Sequence, residues 1–257
     1  MHFIDRYAYT NRIRNVDPAC KVALALVVLL LCLVLNRPSV GLLATAWMWV
    51  LAVGVAGLPA GDFSRLLAAE AFFLVLMTAG VALSFSIAVP PPGTTWMWQV
   101  GPLWVASSPA SLTMALHPVT RALGGAAALN FLAMTTPLVD LIDLLRRLRV
   151  PAWLIDLIAA MYRFIFVLLD SLERMVTAQD SRLGYRSFRR GMSSAGMLTS
   201  GLFVNALQRT RRLQTALEAR GYNGELRVLP SIYRQDWVLW GTGLATVATL
   251  ILAWSVS

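Results

Sequence analysis

Two short words in an arginine-rich stretch carry the residue types and spacing that could do chemistry. Ser181-Arg182-Leu183-Gly184-Tyr185 and Ala219-Arg220-Gly221-Tyr222 each hold a small residue, an arginine, and a Gly-Tyr pair shortly after. Glycine just past a helix takes the left-handed conformation at little cost. Arginine in a last turn complements the helix dipole and offers a planar fork of five donors, suited to carboxylates. One such word is an ordinary helix stop. Two basic tips on two helices are what a chain needs if it must grip two copies of one partner.

Other chemistries lack their residues. There is no G-x-x-x-x-G-K-[ST], and Lys21 is the only lysine, so ATP hydrolysis would have to come from another chain. There is no H-E-x-x-H, and the two histidines, His2 and His117, have no clustered cysteines beside them. Cys20 and Cys32 form no C-x-x-C pair, which argues against a disulfide framework and a zinc site alike. No catalytic residue, metal ligand or cofactor is therefore expected. Asp140 and Asp143 share a helix face but have no second acidic cluster, and read as a solvated face. A polytopic membrane enzyme acting on a lipid or isoprenoid phosphate, with the arginines as its phosphate-binding face, is the alternative. It would want paired acids, or a nucleophile and base, in one cleft.

The elements that must position the two tips follow from composition. The 257 residues are 58% hydrophobic and only 14% charged, with a mean hydropathy of +0.65. A soluble fold of this size could not hide so much apolar surface, so an integral membrane protein is expected. Lys plus Arg number 22 against 13 Asp plus Glu. That net charge of +9 would suggest nucleic acid in a soluble protein, but here the placement of the arginines matters more than their sum, and no nucleic acid is expected.

The expected spans are residues 22–35 (extended by 18–20, with Lys21 snorkelling to the headgroups), 40–58, 66–89, 112–135 and 237–256. A cleavable signal peptide is disfavoured by Asp5, Asp17 and the lack of an A-x-A site. Asn36 to Ser39 form the turn of a helical hairpin, and the Pro90–Gly93 cluster with Pro102 and Pro109 breaks the charge-free stretch between the third and fourth spans. The loop carrying Trp96, Trp98 and Trp104 is expected at a membrane interface. Residues 153–169 are apolar but contain Asp156 and Arg163, and read as a helix at the membrane surface.

Residues 137–235 hold 15 arginines and 8 acids and divide at Pro and Gly into helical stretches near 138–148, 152–182 and 197–220. In the last, Leu198, Leu202, Ala206, Leu213 and Leu217 recur at helical steps. With a cytoplasmic N-terminus, 20 of the 22 cations fall inside, the exceptions being Arg37 and Arg121. The expected fold is all-α, a polytopic membrane protein with five transmembrane helices and a cytoplasmic domain of long helices. Its parts are a four-helix membrane region (1–136), the cytoplasmic helical domain (137–235) and a last membrane helix (236–257). His117-Pro118 with Arg121 is read as the outer end of the fourth span, Asn130 as a bond to a neighbouring helix, and Gly124-Gly125 as a close packing contact. Arg65 and Glu70 are placed at headgroup level.

With these residues in view, the chain resembles the transmembrane coupling (T) component of energy-coupling factor transporters, in its CbiQ-type cobalt and nickel branch. The family is marked by Ala-Arg-Gly-like triplets at the ends of two coupling helices, which fall here on Ser181, Arg182, Leu183 and on Ala219, Arg220, Gly221. The second matches fully, and the first keeps only its arginine. The stretches from Thr135 to Pro151, from Tyr162 to Met175 and from Asp5 to Lys21 support the likeness. The resemblance implies a non-enzymatic subunit in the bacterial inner membrane. Its partners would be two ABC-type ATPase subunits, each gripped by one motif arginine, and a membrane substrate-capture subunit for cobalt or nickel, with a small accessory membrane subunit in some assemblies. Metal would be handled by the capture subunit.

Overall fold

The computed structural model describes residues 2–35, 37–82, 84–86, 96–100, 103–107, 109–222, 233–234 and 237–256. It is helical apart from one small sheet. The chain forms two compact units, Met1–Leu141 with Ile232–Ser257, and Ile142–Ser231.

The first unit is built around α5 (Pro109–Thr135), against which α1 (His2–Thr10), α2 (Pro18–Leu35), α3 (Pro38–Val50) and α4 (Ala60–Ala82) all pack. A π-helical turn, Leu51–Val55, continues α3, and α9 (Trp237–Val256) lies against α2 and α3. The core interleaves Val28, Met48, Phe63, Phe131, Met134 and Leu250, each almost fully buried. The closest crossing is between α3 and α5. A Cβ on Gly41 would run into the Thr120 carbonyl, and one on Gly124 would come within 3.0 Å of the Gly41 carbonyl oxygen. Small residues let two helix backbones approach this closely in a membrane, where van der Waals packing rather than the hydrophobic effect holds helices together.

Four helical segments are long and apolar enough to cross a membrane: Pro18–Leu35, Pro38–Val55, Ala152–Asp180 and Trp237–Ser255. A fifth arises if Leu116–Thr135 and Leu138–Arg147, bent by 98°, count as one. This is the multi-pass helical membrane protein that composition implies. The segment Ala152–Asp180 meets that test of length and composition although its sequence reads as a surface helix. Helix α4, the expected third span, carries Asp62, Arg65 and Glu70 in its first half.

Several expectations are corrected. The Trp-rich segment is not simply a loop, since β1 (Ser84–Ser86), β2 (Trp96–Val100) and β3 (Leu103–Ser107) form an antiparallel sheet in the order β1-β3-β2. Trp96, Trp98 and Val100 alternate with Met97 and Gln99, and aromatic and β-branched residues suit a pleated surface, a period-two pattern obscured by the apolar run around it. Residues 90–93 lie outside the described residues. His117-Pro118 does not end α5, which begins at Pro109 and accommodates Pro118 in its interior. Asp140 is not merely solvated: its carboxylate accepts from the Tyr233 hydroxyl at 3.2 Å.

Lys21 does not snorkel. It is fully buried, and its ammonium donates to the backbone carbonyls of Thr135 (3.2 Å) and Arg14 (3.4 Å). Pro137 ends α5, because it has no N–H and restricts the residue before it, so the last carbonyls of the helix need outside donors. Lys21 and the Asn11 amide (3.1 Å) both supply the Thr135 carbonyl. The N-terminal segment thus holds the bend between α5 and α6 (Leu138–Arg147). It is itself tied to α4, where the Tyr7 hydroxyl donates to Asp62 at 2.5 Å, a bond that raises the phenol above its ordinary pKa.

The second unit takes in most of α6 together with α7 (Ala152–Asp180) and α8 (Phe188–Glu218). Helix α8 begins nine residues earlier than the expected 197, because Ser187 caps it: Ser187 is extended (φ −139°), and its hydroxyl accepts from the Arg190 N–H at 3.4 Å. Gly191 and Gly196 are carried within the helix.

Candidate functional site

The end of α7 closes through three backbone bonds. The Arg182 and Gly184 N–H groups both donate to the Gln179 carbonyl (3.1 and 2.9 Å), and the Leu183 N–H donates to that of Asp180 (2.9 Å). Leu183 takes the left-handed conformation at φ 58°. The end of α8 repeats this bond for bond. The Arg220 and Tyr222 N–H groups donate to the Leu217 carbonyl (both 3.0 Å), the Gly221 N–H to that of Glu218 (3.0 Å), and Gly221 is left-handed at φ 73°. Both are Schellman caps. In each the arginine is the last residue before the left-handed one, so Ser181-Arg182-Leu183 and Ala219-Arg220-Gly221 occupy equivalent positions.

The equivalence corrects the reading of Gly184 as the left-handed residue of the first cap. Leu183 holds that place, at a cost of roughly 1–2 kcal/mol for an L side chain. Gly184 is needed for another reason. A Cβ there would lie 2.6 Å from Ser194 Oγ, which donates to the Gly184 carbonyl at 3.1 Å, and 2.9 Å from the Gln179 carbonyl oxygen. Close approach of α8 claims the glycine, and the strained conformation falls to the leucine before it. Aligning the two words on their arginines, rather than on their Gly-Tyr pairs, finds this register in the sequence.

A third cap provides a control. Helix α6 ends with the Arg149 N–H on the Arg146 carbonyl, the Val150 N–H on that of Leu145 (3.2 Å), and Arg149 left-handed at φ 60°. The residue before it, where the other caps carry arginine, is Leu148. The cap therefore closes without arginine at that position. In the two tips the backbone carbonyls are satisfied by backbone N–H groups, which leaves the guanidinium free of capping duty. Arg182 and Arg220 are both exposed, and among the described residues neither side chain has a hydrogen-bond or ion-pair partner. Three other arginines of the unit have side-chain partners: Arg174 with Asp170 at 2.5 Å, Arg147 with Asp143 at 3.7 Å, and Arg209 with Asn205 at 3.2 Å. Others, such as Arg186 and Arg211, have none among the described residues, so it is the position at a cap and not the lack of a partner that sets the two tips apart.

Helices α7 and α8 meet at three levels: Gly184 with Ser194, Met175 with Gly201 (a Cβ on Gly201 would lie 3.6 Å from the Met175 methyl carbon), and Asp156 with Tyr222, whose hydroxyl donates at 3.4 Å. The residue numbers of these pairs run in opposite directions, so the helices are antiparallel. The structure brings the three members of each triplet together but holds the triplets apart. Arg182 lies 26 residues from the level of Asp156, about 40 Å at 1.5 Å per residue. All six triplet residues are exposed. The surroundings differ. Exposed Leu183, Tyr185, Phe188 (89% exposed) and Met192 follow Arg182 in the chain, whereas Tyr222 is the described aromatic that follows Arg220.

The polar residues of α5 are placed as well. The Asn130 amide donates to both Glu70 oxygens at 2.9 Å, which is the helix-to-helix bond expected of it. It also gives Glu70 an interhelical partner not foreseen from the sequence. Gly124 makes the close contact described above, and Arg121 lines a cleft with His117. Among the described residues, no group of three or more His, Cys, Asp or Glu side chains is arranged to hold a metal ion. Both cysteines are free thiols, Cys32 buried and Cys20 half-buried.

Sequence comparison places these elements among transport proteins. The profile of the cobalt transport protein family CbiQ matches residues 10–232. A cobalt transport protein CbiQ of Rhodobacter capsulatus is 38% identical over 155 residues, 60% of this chain and 64% of its own length, so the chain spans just under two thirds of that relative. A cobalt transport protein CbiQ of Salmonella typhimurium is 30% identical over 231 residues, 88% of this chain and 99% of its own length. An energy-coupling factor transporter transmembrane protein EcfT of Leuconostoc gelidum is 31% identical over 163 residues, 59% of this chain and 58% of its own.

Proposed function

Because this chain belongs to the CbiQ family of cobalt transport proteins, we propose that it is the coupling subunit of an ATP-driven importer of the energy-coupling factor type, carrying no catalytic site of its own. Arg182 and Arg220 each dock on one of two cytoplasmic ABC-type ATPase subunits, and the membrane unit holds a substrate-capture membrane protein for cobalt or nickel. Closure of the ATPase pair on ATP draws the two tips, and the movement passes through the coupling helices to release cargo inside. The protein lies in the bacterial cytoplasmic membrane with its N-terminus and arginine-rich segment on the cytoplasmic side, as the positive-inside rule requires. Residues 137–235 act as the coupling domain, and α7 lies along the membrane surface, since inserting it would place the arginines that follow on the wrong side.

One observation carries this reading. Two helix ends share one backbone geometry, and each displays an exposed, unpartnered guanidinium that the cap does not need, about 40 Å apart along the hairpin. Such a separation suits two copies of a partner better than a single composite site. Arg–carboxylate contacts are strong and directional, and losing one that is buried at an interface costs about 2–5 kcal/mol, much of it from the partner left unpaired. The membrane-enzyme alternative gains nothing from Asp140, which is engaged by Tyr233.

The test is co-purification with the ATPase subunits in detergent. Wild type should retain two ATPases, Arg182→Glu and Arg220→Glu one each, and the double variant none, with helicity unchanged by circular dichroism. Equal retention in all four would reduce the tips to helix stops.

A further inference from the structure

The two cations that break the charge bias are Arg37, in the turn before α3, and Arg121, on α5, and packing brings them to one end of the membrane unit. Gly41 touches the backbone of Thr120 and Arg121. Its N–H donates to the Arg37 carbonyl at 3.4 Å, so Arg37 sits one turn before that contact. Arg121 is fourteen residues from Thr135, about 21 Å along α5. Thr135 marks the opposite end, where Lys21 and Asn11 bind its carbonyl. With the reach of its own side chain, Arg121 puts its guanidinium at the depth of the far headgroups.

Arg121 also faces a cleft. A cavity of about 690 Å³ opens between α2 and α5, its apolar wall made by Leu29, Leu33, Gly125 and Ala126, with His117 and Arg121 at one end. Both are half-buried, and among the described residues neither the Arg121 nor the Arg37 side chain has a hydrogen-bond or ion-pair partner. An arginine in a transmembrane segment is costly unless it finds an anion or bound water. No described carboxylate meets this one, and no described acid lines the cleft. A long apolar trough ending in unpaired cations at headgroup depth is complementary to one abundant membrane molecule.

We propose that the cleft between α2 and α5 is a binding site for an anionic phospholipid. An acyl chain lies against Leu29, Leu33, Gly125 and Ala126, and the phosphate sits on Arg121 with His117 and Arg37 beside it. The site lies at the end of the membrane unit away from Thr135, and it stands whether or not the coupling function does. It also accounts for the exceptions to the charge rule: these two arginines complement lipid rather than set topology.

The test is native mass spectrometry of the full-length chain in detergent, titrated with phosphatidylglycerol and, separately, with phosphatidylcholine. Wild type should hold one phosphatidylglycerol in preference to phosphatidylcholine. Arg121→Gln should lose that preference by about tenfold, as expected for one charge-assisted contact at a membrane surface. Arg121→Lys should recover part of it, and Arg146→Gln, outside the cleft, should change nothing. Gly125→Leu, which puts bulk into the trough, should weaken phosphatidylglycerol binding with every cation intact. A Cβ there has only an ordinary contact with Leu29 at 3.7 Å, and the thermal midpoint reports whether the variant folds. If it does not fold, the Arg121 pair decides alone. Equal binding of the two lipids by wild type, or full preference in Arg121→Gln, overturns the proposal. So does inorganic phosphate that competes at the lipid's own concentration, since the site would then read a free anion. Protection of the cleft by a co-purifying protein in place of lipid overturns it as well.

Discussion

The two tips of the α7–α8 hairpin share a backbone and differ in what surrounds it. At the end of α8, glycine takes the left-handed position without strain, and Tyr222 reaches across to Asp156 at 3.4 Å. At the end of α7, a leucine is forced into the same conformation, and exposed Tyr185, Phe188 and Met192 follow the arginine within ten residues of chain. An exposed leucine in the left-handed conformation lowers stability and, on the proposed coupling function, is open to contact with a partner. Arginine with aromatic and methionine neighbours has the composition of an interface centre, while arginine on a polar rim contributes less. The tips are thus equivalent in geometry and unequal in sequence context, and on the proposed coupling function the two ATPase copies should be gripped with unequal strength.

Truncating the arginines should expose that inequality most strongly. Arg182→Ala should weaken ATPase binding by about 3 kcal/mol and Arg220→Ala by about 1.5 kcal/mol, inside the range for interface charges, measured by titrating purified ATPase onto each variant. Equal losses would make the apolar surroundings of Arg182 irrelevant. A smaller effect is expected from Phe188→Ser, about 1–2 kcal/mol of binding with no loss of fold, since the ring is almost wholly exposed. Its failure to weaken binding would leave that ring without a partner.

Much of this hairpin is legible in the sequence because its signals are local. Capping words and leucine periodicity place both arginines at helix ends, and the apolar runs find Pro18–Leu35, Pro38–Val55 and Trp237–Ser255, but the same test admits Ala152–Asp180 and leaves out α4, the expected third span. What escapes is whatever depends on a residue far along the chain. Lys21 reads as a snorkelling side chain until α5 is seen to end at Pro137 with its Thr135 carbonyl in need of a donor. Asp140 reads as solvated until Tyr233 arrives from ninety-three residues away. The strain at Leu183 is hidden because the nearby Gly184 looks like the C-terminal glycine, and only the approach of Ser194 shows why that glycine is spoken for. The sheet at Trp96–Val100 is lost in an apolar stretch whose alternation is masked by hydrophobic residues on both faces.

The sharpest test of the comparison exchanges the third residue of each triplet. Leu183→Gly should relieve the left-handed strain and raise stability by about 1 kcal/mol, less whatever the added freedom of glycine gives the unfolded chain, while Gly221→Leu should lower it by about 1–2 kcal/mol. Thermal midpoints read both. If Leu183 is kept for contact, Leu183→Gly will be more stable and yet bind ATPase less well, a split that a purely structural residue cannot produce. If the variant gains stability and binds as wild type does, the leucine is a tolerated imperfection, and the inequality of the tips rests on Arg182 and Phe188 alone. Tyr222→Phe sets the lower bound. It removes one long, exposed bond to Asp156, so its cost should stay within about 0.5 kcal/mol. A larger loss would mean that this contact, and not the cap, fixes the second tip against α7.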